Sequence, residues 1–316
     1  MSTKPVIAIT MGDPAGVGPE ICLKALQEPS VSRCCRPVLI GDRTVLQKAA
    51  KKFNLPLPEQ QLIEASSLPR EFKTGCDDGA NGQAAYACIL RAIEGIKAGE
   101  FQAVTTAPIS KAAFHLGNIF EPGHTEIFAR ETGAEHYAMM LYSRRLAVSL
   151  VTCHKPLEEV FACITRSRVI KTAELTGEAL RRIRNREPRM VVLGFNPHAG
   201  ESGIFGREEI EVIRPAVEQL RRRGWQVEGP VSPDSAFMPH QLKKYDAHIC
   251  MYHDQGLIPF KMISLHDGVN ITLGLPAVRT SVDHGTAYDI AWKGRADHHS
   301  LVCAIKLAAR SVRNQS

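Results

Sequence analysis

No apolar run approaches the roughly 20 residues that a bilayer-spanning helix requires, and the chain passes from Lys4 straight into a strand-like run at 6–10 without a leader's apolar core. A membrane role and export are therefore not expected, and the protein is read as cytoplasmic. Nine cysteines form no CxxC pair, and Cys34 and Cys35 are too close in sequence for an ordinary disulfide. Free thiols in a reducing compartment are expected, and zinc held by cysteine is not. The glycine-rich segment 10–20, TMGDPAGVGPE, lacks the third glycine of GxGxxG at the right offset and the lysine of a P-loop. The familiar dinucleotide and P-loop readings fall away, leaving a turn or a ligand contact, with Asp13 its most capable residue. Internal repeats and low-complexity segments are missing as well.

What is present is an ordinary globular composition of 316 residues, 44% hydrophobic and 23% charged, long enough for two cores or one large one. The net charge of +6 suits anionic ligands. Its densest basic runs, 181–186 and 221–223, lie on helix-like segments and are read as solvated faces, so nucleic acid is not the expected partner. Short β-rich runs at 6–10, 37–41, 103–106, 146–152, 190–195 and 247–252 alternate with helical spacing at 84–98, 167–183 and 208–220. This order predicts an α/β protein with a largely parallel sheet.

The stretch 252–290 gathers the most chemically capable residues, in what reads as irregular backbone. Lys261, Asn270 and Arg279 are spaced among Gly268, Gly274 and Pro276, so that two cations and an amide could converge on one anion. Three histidines share a placement: His154 follows SLVTC, His198 follows VVLGFNP and His253 follows HICMY. Each sits just beyond the carboxyl end of a predicted strand, where open parallel sheets bind ligands. Three imidazoles placed alike point to a divalent metal. His115, His136, His240, His248, His266, His298 and His299 have no such placement and are read as without a role. The hydroxyls of TTAPISK (105–111) and of GHTE (123–126), with His124 and Lys111, could bind phosphate or carboxylate, but each segment alone reads first as helix caps. Lys111 and Asp234 are the proton-transfer candidates, although Asp234 could merely cap a helix beginning near Ser235.

TMGDPAGVGPE, TAPISK, PGHTE, GFNPHAGE, YHDQG and DGVNITLGLPAVRTSVDHGTA, in this order and across almost the whole chain, resemble the 4-hydroxythreonine-4-phosphate dehydrogenase family. The resemblance implies two α/β/α lobes with largely parallel sheets, similar to isocitrate and isopropylmalate dehydrogenases, with the active site in the cleft between lobes. Residues 1–125 and 271–316 would form one lobe and 126–270 the other. It also implies that His154, His198 and His253 bind one divalent ion (Zn, Mn, Co or Mg), that His124, Thr125, Lys261, Asn270 and Arg279 contact substrate, and that the protein is a homodimer with its sites near the interface. NAD is the implied cofactor, because His284, Gly285, Thr286, Ala287 and Asp289 match the HGxAxDI adenosine-binding loop of the wider group.

One branch of the family oxidises 4-phosphohydroxy-L-threonine on the way to pyridoxal phosphate; a second acts on 4-phospho-D-threonate or 4-phospho-D-erythronate. The wording of 261–270 and 288–296 is closer to the second. The expected reaction is NAD-dependent oxidation of the C3 hydroxyl with decarboxylation to dihydroxyacetone phosphate, the alternative being the vitamin-branch activity. A metal-dependent phosphohydrolase or a non-catalytic anion-binding protein is a remoter reading.

Overall fold

The computed structural model describes residues 4–264 and 267–314; Leu265 and His266, within the site-bearing stretch, lie outside the described residues. The strands are β1 (Val6–Thr10), β2 (Arg36–Asp42), β3 (Leu62–Ser66), β4 (Ala103–Thr106), β5 (Ala138–Tyr142), β6 (Ala147–Leu150), β7 (Met190–Leu193), β8 (Val227–Val231), β9 (Ala247–Cys250), β10 (Val269–Leu273) and β11 (Val278–Ser281). The chain divides into two compact units, Met1–Glu135 with Leu275–Ser316, and His136–Gly274. No helix of the described residues is long and apolar enough to cross a membrane.

The first unit has strand order β3-β2-β1-β4-β11, parallel throughout. Its strands are short apolar runs because helices cover both faces. Successive residues of β1 show this: Ile7 and Ile9 join one core cluster with Ile21, Leu301 and Ile305, whereas Ala8 joins another with Ile89, Ile93 and Phe114. The helices Gly18–Gln27 and His299–Arg313 supply the first cluster and Gly79–Lys97 the second, which makes this unit an α/β/α sandwich. The helix His124–Thr132 belongs here because Ile127 and Phe128 pack into the second cluster.

The second unit has order β10-β5-β6-β9-β7-β8. Strands β6, β9, β7 and β8 are parallel, while β10, β5 and β6 alternate in direction. The reversal is local chemistry: the connection from β5 to β6 is too short for a crossover helix, and Ser143 Oγ accepts the N–H groups of Arg145 (3.1 Å) and Leu146 (3.0 Å) to make the turn. Pairing of β10 with β5 draws residues up to Gly274 into this unit. Val148, Leu150, Val191, Leu193, Cys250 and Phe260 form its core.

The expectation of irregular backbone over 252–290 is corrected. His253–Ser264 is helical, with Pro259 inside it, and β10 and β11 follow, so Lys261 stands on a helix while Asn270 and Arg279 stand on strands. The glycines and prolines punctuate these elements, and the apolar alternation of Val269, Ile271 and Leu273 within VNITL is the strand signal they obscure. The expected helix at 208–220 begins instead with a π-turn, Glu209–Ile213, before the α-helix Arg214–Arg222.

Candidate active site

The strand order places β6, β9 and β7 side by side and parallel. His154, His253 and His198 follow these three strands, so the loops bearing them leave one edge of the sheet at neighbouring strands, about 4.8 Å apart per step. The rings of His154 and His253 are 5.6 Å apart between centroids. Both line a cleft of about 210 Å³ with Thr152, Lys155, Tyr252 and Asp254. His253 Nδ1 lies 2.7 Å from Asp254 Oδ1, which orients the ring and leaves Nε2 open. His198 stands near Asp234, whose carboxyl is held below its usual range by the Ser232 hydroxyl and, to a lesser degree, by His198. Ser232 stands at the N-cap position of the short helix Pro233–Ala236 without a capping side-chain bond, its hydroxyl donating instead to Asp234 in the first turn, so Asp234 is not at the cap position.

His154 (φ 49°) and His198 (φ 53°) adopt left-handed backbone, as do Ala199, Glu201 and Ser202. Such conformations are uncommon outside glycine and concentrate at functional sites, where the surroundings hold them in place. Among the described residues, no three His, Cys, Asp or Glu side chains as they stand are grouped closely enough to hold a metal ion. The His154–His253 pair offers two neighbouring imidazoles, a donor chemistry that suits a divalent transition metal, and His198 stands on the loop of the adjoining strand end.

In the first unit a buried cation lies on β11. Arg279 is 3% exposed, and its Nη2 donates to Thr106 Oγ1 (2.6 Å) at the end of β4. Burial lowers its pKa to about 10, against which Glu126 acts weakly. His124 opens the helix His124–Thr132, with Thr125 next to it. It is half-buried as a residue, but its Nε2 is shut off from solvent and has no hydrogen-bond partner among the described residues. Burial, with the Arg279 charge adding, holds this imidazole well below its ordinary pKa, so it stays neutral beside the arginine. Lys111, exposed, opens the neighbouring helix, which Ser110 caps by accepting the Ala113 N–H (3.1 Å). In the second unit Lys261 is exposed, and Asn270 Oδ1 is buried without a partner among the described residues.

The glycine-rich loop and the 284–292 segment are bound together within the first unit. The Val17 N–H donates to the Thr286 carbonyl (3.0 Å), and Trp292 Nε1 donates to the Pro14 carbonyl (2.9 Å). A side chain at Gly16 would come within 3.0 Å of Thr286, so glycine is what lets the two segments touch. Tyr288 Oη lies 2.6 Å from Asp13 Oδ2 and 2.9 Å from Asp77 Oδ1. Burial raises the Asp13 pKa, and the phenol hydroxyl, which partly offsets this, fixes that carboxyl in place. Asp13 is thus a loop clamp, its other oxygen accepting the Ala15 N–H (2.8 Å).

A family model described as pyridoxal phosphate biosynthetic protein PdxA matches residues 33–308. The chain belongs to the PdxA family. It is 45% identical to a 4-hydroxythreonine-4-phosphate dehydrogenase of Desulforapulum autotrophicum, covering 97% of this chain and 95% of that one. It is 40% identical to a D-threonate 4-phosphate dehydrogenase of Pectobacterium atrosepticum, covering 96% and 98%. Among solved structures it is similar to a 4-hydroxythreonine-4-phosphate dehydrogenase from Klebsiella pneumoniae, with TM-score 0.85 and 38% identity over 98% of this chain and 100% of that one. As a member of the PdxA family the protein is a dehydrogenase, an oxidoreductase acting on a CH–OH group.

Within this PdxA chain, the structure brings together His154 with His253, His198 with Asp234, and Arg279 with Thr106 and His124. Sequence reasoning overlooked Thr106 as the partner of Arg279, and Tyr288 and Asp77 as clamps of the 284–290 segment. A threonine ending a buried strand gives no sign of which distant arginine it meets. Tyr288 fills a free position of the HGxAxDI motif, so the pattern did not single it out.

Proposed function

We propose that this protein is a metal-dependent NAD dehydrogenase that oxidises the C3 hydroxyl of a four-carbon 4-phosphorylated acid, 4-phospho-D-threonate or 4-phospho-D-erythronate, with loss of carbon dioxide to give dihydroxyacetone phosphate. The observation that carries the reading is the placement of His154, His253 and His198 beyond three adjacent parallel strands. These histidines would hold one divalent ion, which supplies Lewis-acid stabilisation of charge on substrate oxygens. Arg279 takes an anionic group of the substrate through its guanidinium fork, with neutral His124 and Thr125 beside it, and Lys261 and Asn270 contribute a point charge and an amide. Asp234, exposed and ionised, would accept the hydroxyl proton, and NAD, when bound, would supply the hydride acceptor. The resulting 3-keto acid loses carbon dioxide, and the Lys111 ammonium supplies the proton that replaces it. Residues 284–290 hold the adenosine end of NAD.

The exposed apolar side chains of the second unit support a homodimer formed through it. Leu157 and Phe161 lie one helical turn apart, as do Ile258 and Met262, the last 83% exposed. A second reading, 4-phosphohydroxy-L-threonine as substrate, is favoured by the 45% identity to a relative named for it. The substrates share phosphate, C3 hydroxyl and carboxylate, so only the C2 pocket separates hydroxyl from ammonium. An ammonium buried without acceptors carries a desolvation cost that a hydroxyl avoids. Asp267, in the turn before β10, is the carboxylate that would serve the ammonium. The deciding measurement is kcat/KM for the three compounds under one metal and NAD. Preference for the amino acid would transfer the chain to the vitamin branch, and no NADH with any of them would sink the dehydrogenation proposed here.

A further inference from the structure

The loops that carry His154, His198 and His253 are tied at their roots by buried polar groups to which the roles above give no task. Gln255, on the first turn of the His253–Ser264 helix, is the link between two of them. Its Oε1 accepts the Met251 N–H (2.7 Å), and its Nε2 donates to the Gly194 carbonyl (2.8 Å). The Met251 carbonyl in turn accepts both the N–H (3.1 Å) and the hydroxyl (2.7 Å) of Thr152, two residues before His154. The loop leaving β7 at Gly194 is held also by Glu209. This carboxylate is 1% exposed; its Oε1 accepts the N–H groups of Phe195 and Asn196 (both 2.7 Å), and its Oε2 accepts Asn196 Nδ2 (3.0 Å).

The arrangement answers a local difficulty. Residues 198–202 all have positive φ, a run that only Gly200 adopts without strain, so neighbouring contacts must impose it. Glu209 supplies them from directly beneath: a Cβ on Gly200 would lie 2.6 Å from its Oε2. Glu209 also opens the π-turn Glu209–Ile213, the kind of helix irregularity that recurs at functional sites. A buried carboxylate is costly unless its oxygens are matched by donors, and here both are.

We propose that Glu209 and Gln255 are positioning residues: Glu209 imposes the left-handed loop that presents His198, and Gln255 sets that loop in register with His253 and His154. The inference rests on these three histidines being the metal ligands. The test is to titrate metal-free protein with Co²⁺, whose visible absorption reports coordination geometry as well as affinity, with NAD affinity as a control on the other unit. Glu209→Ala and Gln255→Leu should each weaken Co²⁺ binding by about 10- to 100-fold, the usual cost of losing an outer partner of a metal ligand, with altered absorption and unchanged NAD affinity. Glu209→Gln keeps the oxygen shared by Phe195 and Asn196 but sets an amide NH2 against Asn196 Nδ2, so its loss of Co²⁺ affinity should be smaller than that of Glu209→Ala. If Glu209→Ala does not fold, Gln255→Leu, which keeps the volume, decides. His198→Ala is the reference. Should it lose Co²⁺ while Gln255→Leu and any folded Glu209→Ala bind like the parent, the positioning roles are overturned and the ligands stand. Should His198→Ala itself bind like the parent, the ligand assignment fails, and this inference with it.

Discussion

The two units prepare their chemical groups in opposite ways. The first unit buries the charge itself: Arg279 sits against Thr106 with a neutral His124 beside it, and loss of solvent tunes both groups. The second unit leaves His154, His198 and His253 beside open space and buries their supports instead, Gln255 and Glu209 among them. A buried guanidinium is a fixed grip for an anion, already desolvated before the ligand arrives. Imidazoles left accessible to a ligand have to take their precision from the backbone beneath them.

The largest expected effect breaks the second arrangement alone. His198→Ala should reduce divalent-metal affinity by more than the roughly 10- to 100-fold typical of an outer partner, and turnover with it, while NAD affinity holds. Metal content and activity surviving this change together would remove the histidines from the site. Next in size is a contrast between two buried histidines, one in each unit. His248, in the core of the second unit with its Nε2 2.9 Å from the Ala236 carbonyl, is held by burial at a pKa of about 4 instead of 6.5, and His124 is displaced in the same direction. Below pH 6.5 the unfolded chain binds protons that the folded chain refuses, so stability is full above 6.5 and falls as pH drops toward 4. For His248 this amounts to roughly 3 kcal/mol across the window. Urea unfolding at pH 7 and pH 4.5 should show a smaller acid loss in His248→Gln, whose amide can still donate to Ala236; an equal loss would place the acid sensitivity elsewhere.

Arg279→Ala sharpens the comparison from the first unit. Removing one charge-assisted hydrogen-bonding group costs about 1.5–3 kcal/mol, roughly one to two decades in affinity. The KM for the phosphorylated substrate should rise by that amount, with the NAD KM and metal affinity little changed. A rise confined to the NAD KM would move the guanidinium to the cofactor's pyrophosphate.

Much of this contrast was legible in the sequence, and the illegible part has a physical pattern. The three histidines could be found because a parallel sheet gives strand ends a common meaning, and β6, β7 and β9 were visible as apolar runs. Strands β3, β5, β8, β10 and β11 were not singled out: LIEAS and VEGPV are only partly buried, and VNITL and VRTS sit among turn residues. Arg279 was singled out as a cation among turn residues, but neither its burial nor its partner Thr106, far away in sequence, was legible. Glu209 was hidden inside an amphipathic helical pattern, where a single acidic residue on the buried side looks like noise. Periodicity reports which face is buried; it does not report which buried polar group holds a loop.

The smallest effect tests whether the clamp on the 284–290 segment belongs to the first unit's manner of working. Tyr288→Phe removes one hydroxyl from between Asp13 and Asp77 and leaves the ring in place. An ordinary hydrogen bond contributes about 0.5–1.5 kcal/mol, so the NAD KM should rise about 2- to 12-fold, with substrate KM and metal affinity unmoved. The pH dependence carries a sign. Burial already raises the Asp13 pKa above 3.8, and the tyrosine hydroxyl is the foremost group opposing it. Without that hydroxyl the pKa climbs further, and the protonated carboxyl, which needs no donor, is the form the loop tolerates. As pH rises through the folded pKa, the variant must either keep a proton or bury an unmatched carboxylate, whereas the unfolded chain ionises freely above 3.8. The defect in Tyr288→Phe should therefore be slight in acid and grow toward neutral pH, in thermal midpoint and in NAD KM alike. A midpoint that falls with pH while the NAD KM stays at the parent value would make the clamp a device of the fold and not of the cofactor segment.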